Sequence, residues 1–266
     1  MSTTLDGQVT GSAAEIYESF FVPALFQQWP PQVAKAAGLA PSQRVLDVAC
    51  GTGVLAREAA RQVQPDGAVT GLDRNPGMLA LARRTAPGID WREGMAEQLP
   101  FEDNAFDRVL CQFGLMFFQD RTGALKEMRR VLRPGGLVAV AVWDAIDRSP
   151  GYAAMADLLE RLFGQRVAAE LRAPFMLGDQ AELRRLFELA GLPQPRIETC
   201  AGTARFPSIE AWVHTDIKGW TLADLIDDDQ YRTLLQAALR DLRPLAGSDG
   251  RVAFAAPAHL ATATRI

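Results

Sequence analysis

The chain has 266 residues, 48% of them hydrophobic, which is enough to bury one good-sized core and too little for two independent ones. Its net charge of −4 is spread along the chain without a block of like charges, which argues against a large nucleic-acid footprint. The three cysteines, Cys50, Cys111 and Cys200, are far apart and form no CxxC pair, so neither a disulfide framework nor a zinc site is supported, and free thiols fit a reducing compartment. The N-terminal residues lack a basic stretch followed by an apolar run, and no segment approaches the roughly 18 apolar residues of a membrane span. The expectation is a cytoplasmic protein of one domain over residues 1–266, acting on a small molecule and holding no metal; the composition sets no oligomeric state.

Along the chain, Ser12-Ala13-Ala14-Glu15 has the form of a capping box and predicts a helix through Ile16, Tyr17 and Phe20, which Pro23 should end or bend. Residues 1–43 are thus a helical cap. After Gly38 and Pro41 a β-branched apolar run at 44–48 stops at glycines and gives way to a helical pattern over 54–60. A second strand at 68–72 meets Asp73, and Asn75-Pro76 opens another helix, Asn as its cap and Pro in its first turn. Further strands are predicted at 89–93, 106–110 and 137–143, with a helix near 123–132 between the last two. Strands alternating with helices at these spacings argue for a parallel sheet covered on both faces.

Beyond Asp144 the pattern is mainly helical at 150–190 and again at 208–243, with strands predicted at 196–203 and 251–263. The helical insertions are candidates for a lid or substrate wall, or else simply cover the core, as most apolar stripes do.

The segment Asp47-Val48-Ala49-Cys50-Gly51-Thr52-Gly53 carries the chemistry. Glycines between a strand and a helix permit a tight turn, close approach of backbone to a ligand, and close helix–strand packing, while the helix N-terminus offers free N–H groups. Asp73, about 20 positions past Gly53, supplies a carboxylate able to accept both hydroxyl protons of a ribose. Loop and acid together suit NAD as well as S-adenosylmethionine (SAM).

The blocks that follow are more specific. Gly94-Met95-Ala96-Glu97-Gln98-Leu99-Pro100-Phe101, then Asp103 with Phe106-Asp107-Arg108-Val109, then Leu132-Arg133-Pro134-Gly135-Gly136-Leu137, resemble in order the class I SAM-dependent methyltransferases, in the branch that includes ubiquinone and menaquinone biosynthesis. The resemblance covers residues 44–143. It implies a doubly wound, Rossmann-like α/β fold with a mostly parallel seven-stranded sheet, helices on both faces, and SAM as cofactor with S-adenosylhomocysteine (SAH) as product. Laid on this chain, it implies that Asp47, Ala49, Gly51 and Gly53 cradle the methionine part and that Asp73 holds the ribose. Arg74 and Met78 would lie beside the adenine, and Ala96 and Glu97 would line its edge. Met95 stands where the family usually has an acid for the adenine amino group, so a backbone carbonyl, Glu97, or the Met95 thioether packed on the ring is expected to take over. Gln112 and Phe113 would face the methyl and the methionine amine, and Tyr17 and Trp29 would fold over the cofactor from the N-terminal segment.

Methyl transfer from a sulfonium is an in-line displacement, so orientation and exclusion of water dominate and a base is optional. The two imidazoles are His214 and His259; His214, in Trp212-Val213-His214-Thr215-Asp216, is the candidate base and His259 reads as structural. Met116, Phe117, Phe175, Trp212 and Trp220 are expected to wall a pocket for a small, largely apolar acceptor that is aromatic, quinone-like or polyketide-like. The alternatives are an NAD-dependent oxidoreductase, against which none of the three tyrosines heads a Tyr-x-x-x-Lys pair, and a SAM-binding protein without catalysis. A nucleic-acid methyltransferase would carry a Pro-Pro-aromatic motif where Cys111-Gln112-Phe113-Gly114 stands.

Overall fold

The computed structural model describes residues 11–218 and 221–266. The described residues open with α1 (Gly11–Ile16), which runs without a break into a π-helix over Tyr17–Phe26. Pro23 lies inside that helix and does not end it. Wider π-turns tolerate the missing N–H and ring that an α-helix would not accommodate. The Ser12 side chain of the expected capping box lies outside the described residues. α2 (Pro30–Ala36) completes the cap, with proline at its first position.

Next come β1 (Arg44–Val48), α3 (Val54–Val63), β2 (Ala68–Asp73), α4 (Pro76–Thr85), β3 (Asp90–Glu93), β4 (Phe106–Gln112), α5 (Arg121–Val131) and β5 (Leu132–Trp143). The second half adds α6 (Pro150–Phe163), α7 (Gln165–Arg172), α8 (Gln180–Leu189), β6 (Arg196–Cys200), β7 (Thr203–Phe206), α9 (Ile209–Lys218), α10 (Asp228–Asp241), β8 (Val252–Ala255) and β9 (Ala258–Thr264).

Seven strands form one sheet in the order β3-β2-β1-β4-β5-β9-β6, so the strand order reverses between β1 and β4. The first five are parallel, and β9 runs antiparallel to both β5 and β6. Val45, Leu46, Asp47 and Val48 of β1 are all buried, as expected of a central parallel strand covered on both faces. In such sheets the crevice at the carboxyl ends, where the order reverses, is the place for a ligand.

Both late strands of the sequence reading divide. The 196–203 run breaks at Ala201-Gly202 and the 251–263 run at Ala256-Pro257, and the pieces join different sheets. β6 and β9 extend the main sheet, whereas β7 and β8 pair with each other as a separate ribbon. Gly202 allows this break because a Cβ there would stand 2.3 Å from the Trp29 ring. The Pro134-Gly135-Gly136 turn falls inside β5 as a looped-out irregularity in its pairing with β4. Among the described residues, no helix is long and apolar enough to cross a membrane.

Candidate active site

The carboxyl ends of β1, β2 and β4 meet at the reversal point. The loop leaving β1 is left-handed at Ala49 (φ 56°), Gly51 (φ 54°) and Gly53 (φ 86°), a backbone that costs an L-residue such as Ala49 about 1 kcal/mol or more. Phe113, just past β4, is also left-handed at φ 56°. Such strain persists where surrounding structure enforces it, commonly at ligand sites. The glycines differ in what they face. A Cβ on Gly53 would stand 2.3 Å from the Trp91 indole, so that glycine serves helix–sheet packing, whereas beside Gly51 the nearest atom is Tyr17 Cε1 at 4.0 Å.

Asp73 ties this loop together. Its carboxylate accepts the Gly51 N–H at 2.8 Å and the Asn75 N–H at 2.8 Å, while the Asn75 side chain caps α4 at the N–H groups of Gly77 and Met78. Burial raises the Asp73 carboxyl above the usual carboxylate range, opposed by those two amides. Asp47 is buried one strand away and pushed up harder, again by desolvation. The Ala56 N–H faces it without reaching hydrogen-bond geometry, and among the described residues neither of its oxygens has a partner, nor does Gln112 Oε1 at the end of β4. Orphaned buried acceptors are costly unless a donor arrives, and an ammonium group of an amino-acid-like ligand is such a donor.

The cap closes over this loop. Glu18 pairs with Arg57 of α3 at 2.8 Å, and Arg57 also donates to the Thr52 carbonyl at 2.7 Å. Tyr17 is thereby held beside Gly51 and stacks on Phe26 at 5.2 Å between ring centroids. Phe26 in turn meets Phe113 and Trp143, and Phe113 and Trp143 stack face to face at 3.8 Å. Trp29 lies fully buried behind this group, edge-on to Phe113 and Trp143, its indole N–H without a partner among the described residues.

On the opposite flank Ala96 is buried and Met95 exposed. Glu97 Oε1 accepts the Gln119 N–H at 3.1 Å, so this carboxylate is engaged in holding the turn after β4. Met78 is buried on α4 and Arg74 half-buried beside Asp73. Met116 is buried and Phe117 exposed on a short turn after β4, where the Met116 carbonyl accepts from Arg121.

Past Phe26 and Trp143 opens a narrow apolar pocket, with about 460 Å³ of empty space when its mouth, open to solvent, is included. Phe21, Leu25, Leu171, Pro174, Phe175 and Leu222 supply its apolar wall, and Tyr152, Asp216 and Glu170 are the polar residues that line it. Of the expected wall residues, Phe175 lines it, while Met116, Phe117 and Trp212 do not. Trp212 is fully buried, stacked on Phe206, and donates its indole N–H to Asp216 at 2.8 Å. Trp220 lies outside the described residues. His214 is exposed and meets the edge of the Phe20 ring at 6.0 Å, away from the pocket lining. His259 is buried, held between Thr199 and the Gly178 carbonyl.

Asp216, Tyr152, Trp91, Phe26 and Trp143 belong to no functional motif of the sequence. Spacing held a signal for one of them: Trp212 and Asp216 are four apart on one helix and so share a face, the buried one. A larger open cleft, with about 1270 Å³ of empty space, lies by the β7–β8 ribbon and shares no residue with the loop or the pocket.

Residues 45–136 match the family model described as a methyltransferase domain. Demethylmenaquinone methyltransferase of Staphylococcus aureus is 34% identical over 188 residues, which span 65% of this chain and 78% of that protein. Among solved structures, the YcgJ protein of Bacillus subtilis superposes with a TM-score of 0.61 at 19% identity, covering 90% of this chain and 98% of that one. Phosphoethanolamine N-methyltransferase 2 of Haemonchus contortus, solved in complex with S-adenosyl-L-methionine, superposes with a TM-score of 0.62 at 18% identity, covering 96% of this chain and 57% of that one.

Proposed function

Since the chain belongs to the class I SAM-dependent methyltransferases, we propose that it transfers the methyl group to a small, largely apolar acceptor, aromatic, quinone-like or polyketide-like, bound in the pocket beyond Phe26 and Trp143. The cofactor supplies an activated methyl on a sulfonium centre. The orphaned acceptors Asp47 and Gln112 suit its amino group, Gly51 leaves room for its backbone to approach, and Asp73 keeps oxygen lone pairs for ribose hydroxyls. With Glu97 committed to Gln119, the exposed Met95 thioether is the residue assigned to the adenine face.

The observation that carries the acceptor class is the pocket wall. Apolar side chains from the cap, α7 and the segment after it surround a space continuous with the Phe26–Phe113–Trp143 ring cluster, and that cluster abuts the strained end of β4. Desolvated apolar surroundings favour ring-bearing acceptors by area burial and suit a sulfonium beside aromatic faces. Incubating the enzyme with methyl-labelled SAM and fractionated metabolite extracts tests this. Label is expected in organic-extractable products, and label found only in water-soluble products would overturn the acceptor class.

A further inference from the structure

Two of the residues in the wall of the apolar pocket are polar and buried. Tyr152, from α6, is buried and its hydroxyl has no hydrogen-bond partner among the described residues. Asp216, from α9, is buried, and its one described hydrogen bond is the Trp212 indole N–H donating to Oδ2, which leaves Oδ1. Both residues line the pocket. An unpaired hydroxyl and a carboxyl in an apolar wall are expensive unless a ligand completes them.

The surroundings of Asp216 hold no compensating cation among the described residues that line the pocket. The cap offers Phe21, Leu25 and Phe26, α6 offers Tyr152, α7 offers Glu170, and the turn after α9 offers Leu222. Trp212 on its own helix is a neutral donor, and the exposed His214 lies off the pocket wall. Burial therefore lifts the Asp216 carboxyl to about 8, opposed by the Trp212 hydrogen bond. A group poised near the working pH is suited to take a proton in the reaction and release it afterwards.

We propose that Asp216 and Tyr152 form the polar recognition element of the acceptor pocket, that they take an ionisable hydroxyl, and that the acceptors are therefore phenols and enols. This rests on the pocket being the acceptor's, as argued above. The O–H bond of the acceptor breaks, its proton passing to Asp216 and its electron pair remaining on oxygen or on the conjugated carbon. That pair forms the bond to the methyl carbon, and the S–CH3 pair stays on sulfur. Tyr152 donates its hydroxyl hydrogen to the acceptor oxygen as negative charge grows there, and Asp216 then gives its proton to water.

Binding of umbelliferone and of its isostere 7-methylcoumarin, measured by calorimetry on the SAH-loaded enzyme, tests the assignment without turnover. The native enzyme is expected to prefer umbelliferone by roughly tenfold, the worth of pairing a buried polar group that 7-methylcoumarin would leave unsatisfied. Asp216→Asn and Tyr152→Phe should still bind 7-methylcoumarin and SAH while losing that preference. A purely structural role would weaken both coumarins together. Equal affinities in the native enzyme, or a preference that survives in both variants, would overturn the hydroxyl assignment and leave the apolar pocket standing. Failure of the native enzyme to bind either coumarin would overturn the apolar-pocket reading and this inference with it.

Discussion

The Trp91 indole lies against the α-carbon of Gly53 so closely that a Cβ there would stand 2.3 Å from the ring. Two glycines of one loop therefore answer to different constraints. At Gly53 (φ 86°) an alanine meets both a left-handed backbone and an immovable ring, so Gly53→Ala should cost about 3 kcal/mol of stability. Thermal unfolding should show its midpoint lowered by roughly 6–12 °C. At Gly51 (φ 54°) the space is open toward Tyr17, so Gly51→Ala should cost only about 1 kcal/mol and instead weaken SAH binding in calorimetry. The reverse pattern would show that the two roles are exchanged.

This division was only partly legible in the sequence. The glycine spacing announced a turn, a ligand approach and a packing contact without saying which glycine met which, because Trp91 lies on a strand far along the chain from Gly53. Local pattern did set the βα alternation through β5, since most strands there, β3 excepted, are short and largely apolar runs bounded by turn residues. It misread the late strands: alternation continues through Ala256-Pro257, and only tertiary pairing shows that β8 and β9 belong to separate sheets. The acceptor pocket was hardest to read. Its polar residues come from α6, α7 and α9, and the titratable side chain that drew attention in Trp212-Val213-His214-Thr215-Asp216 was the imidazole rather than the buried carboxyl two positions on.

Arg57 links the cap to the cofactor loop by pairing with Glu18 and donating to the Thr52 carbonyl. Both side chains of the pair are about a quarter exposed, so Arg57→Met should cost no more than about 1 kcal/mol of stability. Its larger effect should fall on closure over the loop. Stopped-flow displacement of SAH should show a severalfold faster release, and an unchanged release rate would detach the cap from cofactor retention.

His214 sits exposed on α9 against the exposed Phe20. His214→Ala should therefore leave both turnover and SAH affinity within about twofold of native, as for surface substitutions in general. Loss of turnover with intact SAH binding would restore the imidazole as the base and displace Asp216 from that role.

Asp216 also predicts how stability follows pH. Burial raises its carboxyl from 3.8 to about 8 in the folded protein, so between those values the folded state holds a proton that the unfolded chain releases. Stability from this group is thus fully present below about pH 4 and declines as pH rises, until it levels off above the folded value near 8. Asp216→Asn keeps the shape and an acceptor for the Trp212 indole but cannot ionise. Relative to native, the variant should be nearly equal in unfolding midpoint near pH 4, increasingly more stable as pH rises to about 8, and no more so beyond, by on the order of 5 kcal/mol at most. Taking the difference between the two proteins at each pH cancels the titration of every other group. A difference that stays constant over that interval would mean that the carboxyl ionises in the folded state as an ordinary surface acid does, and Asp216 would then lack the high proton affinity that suits it to act as a base.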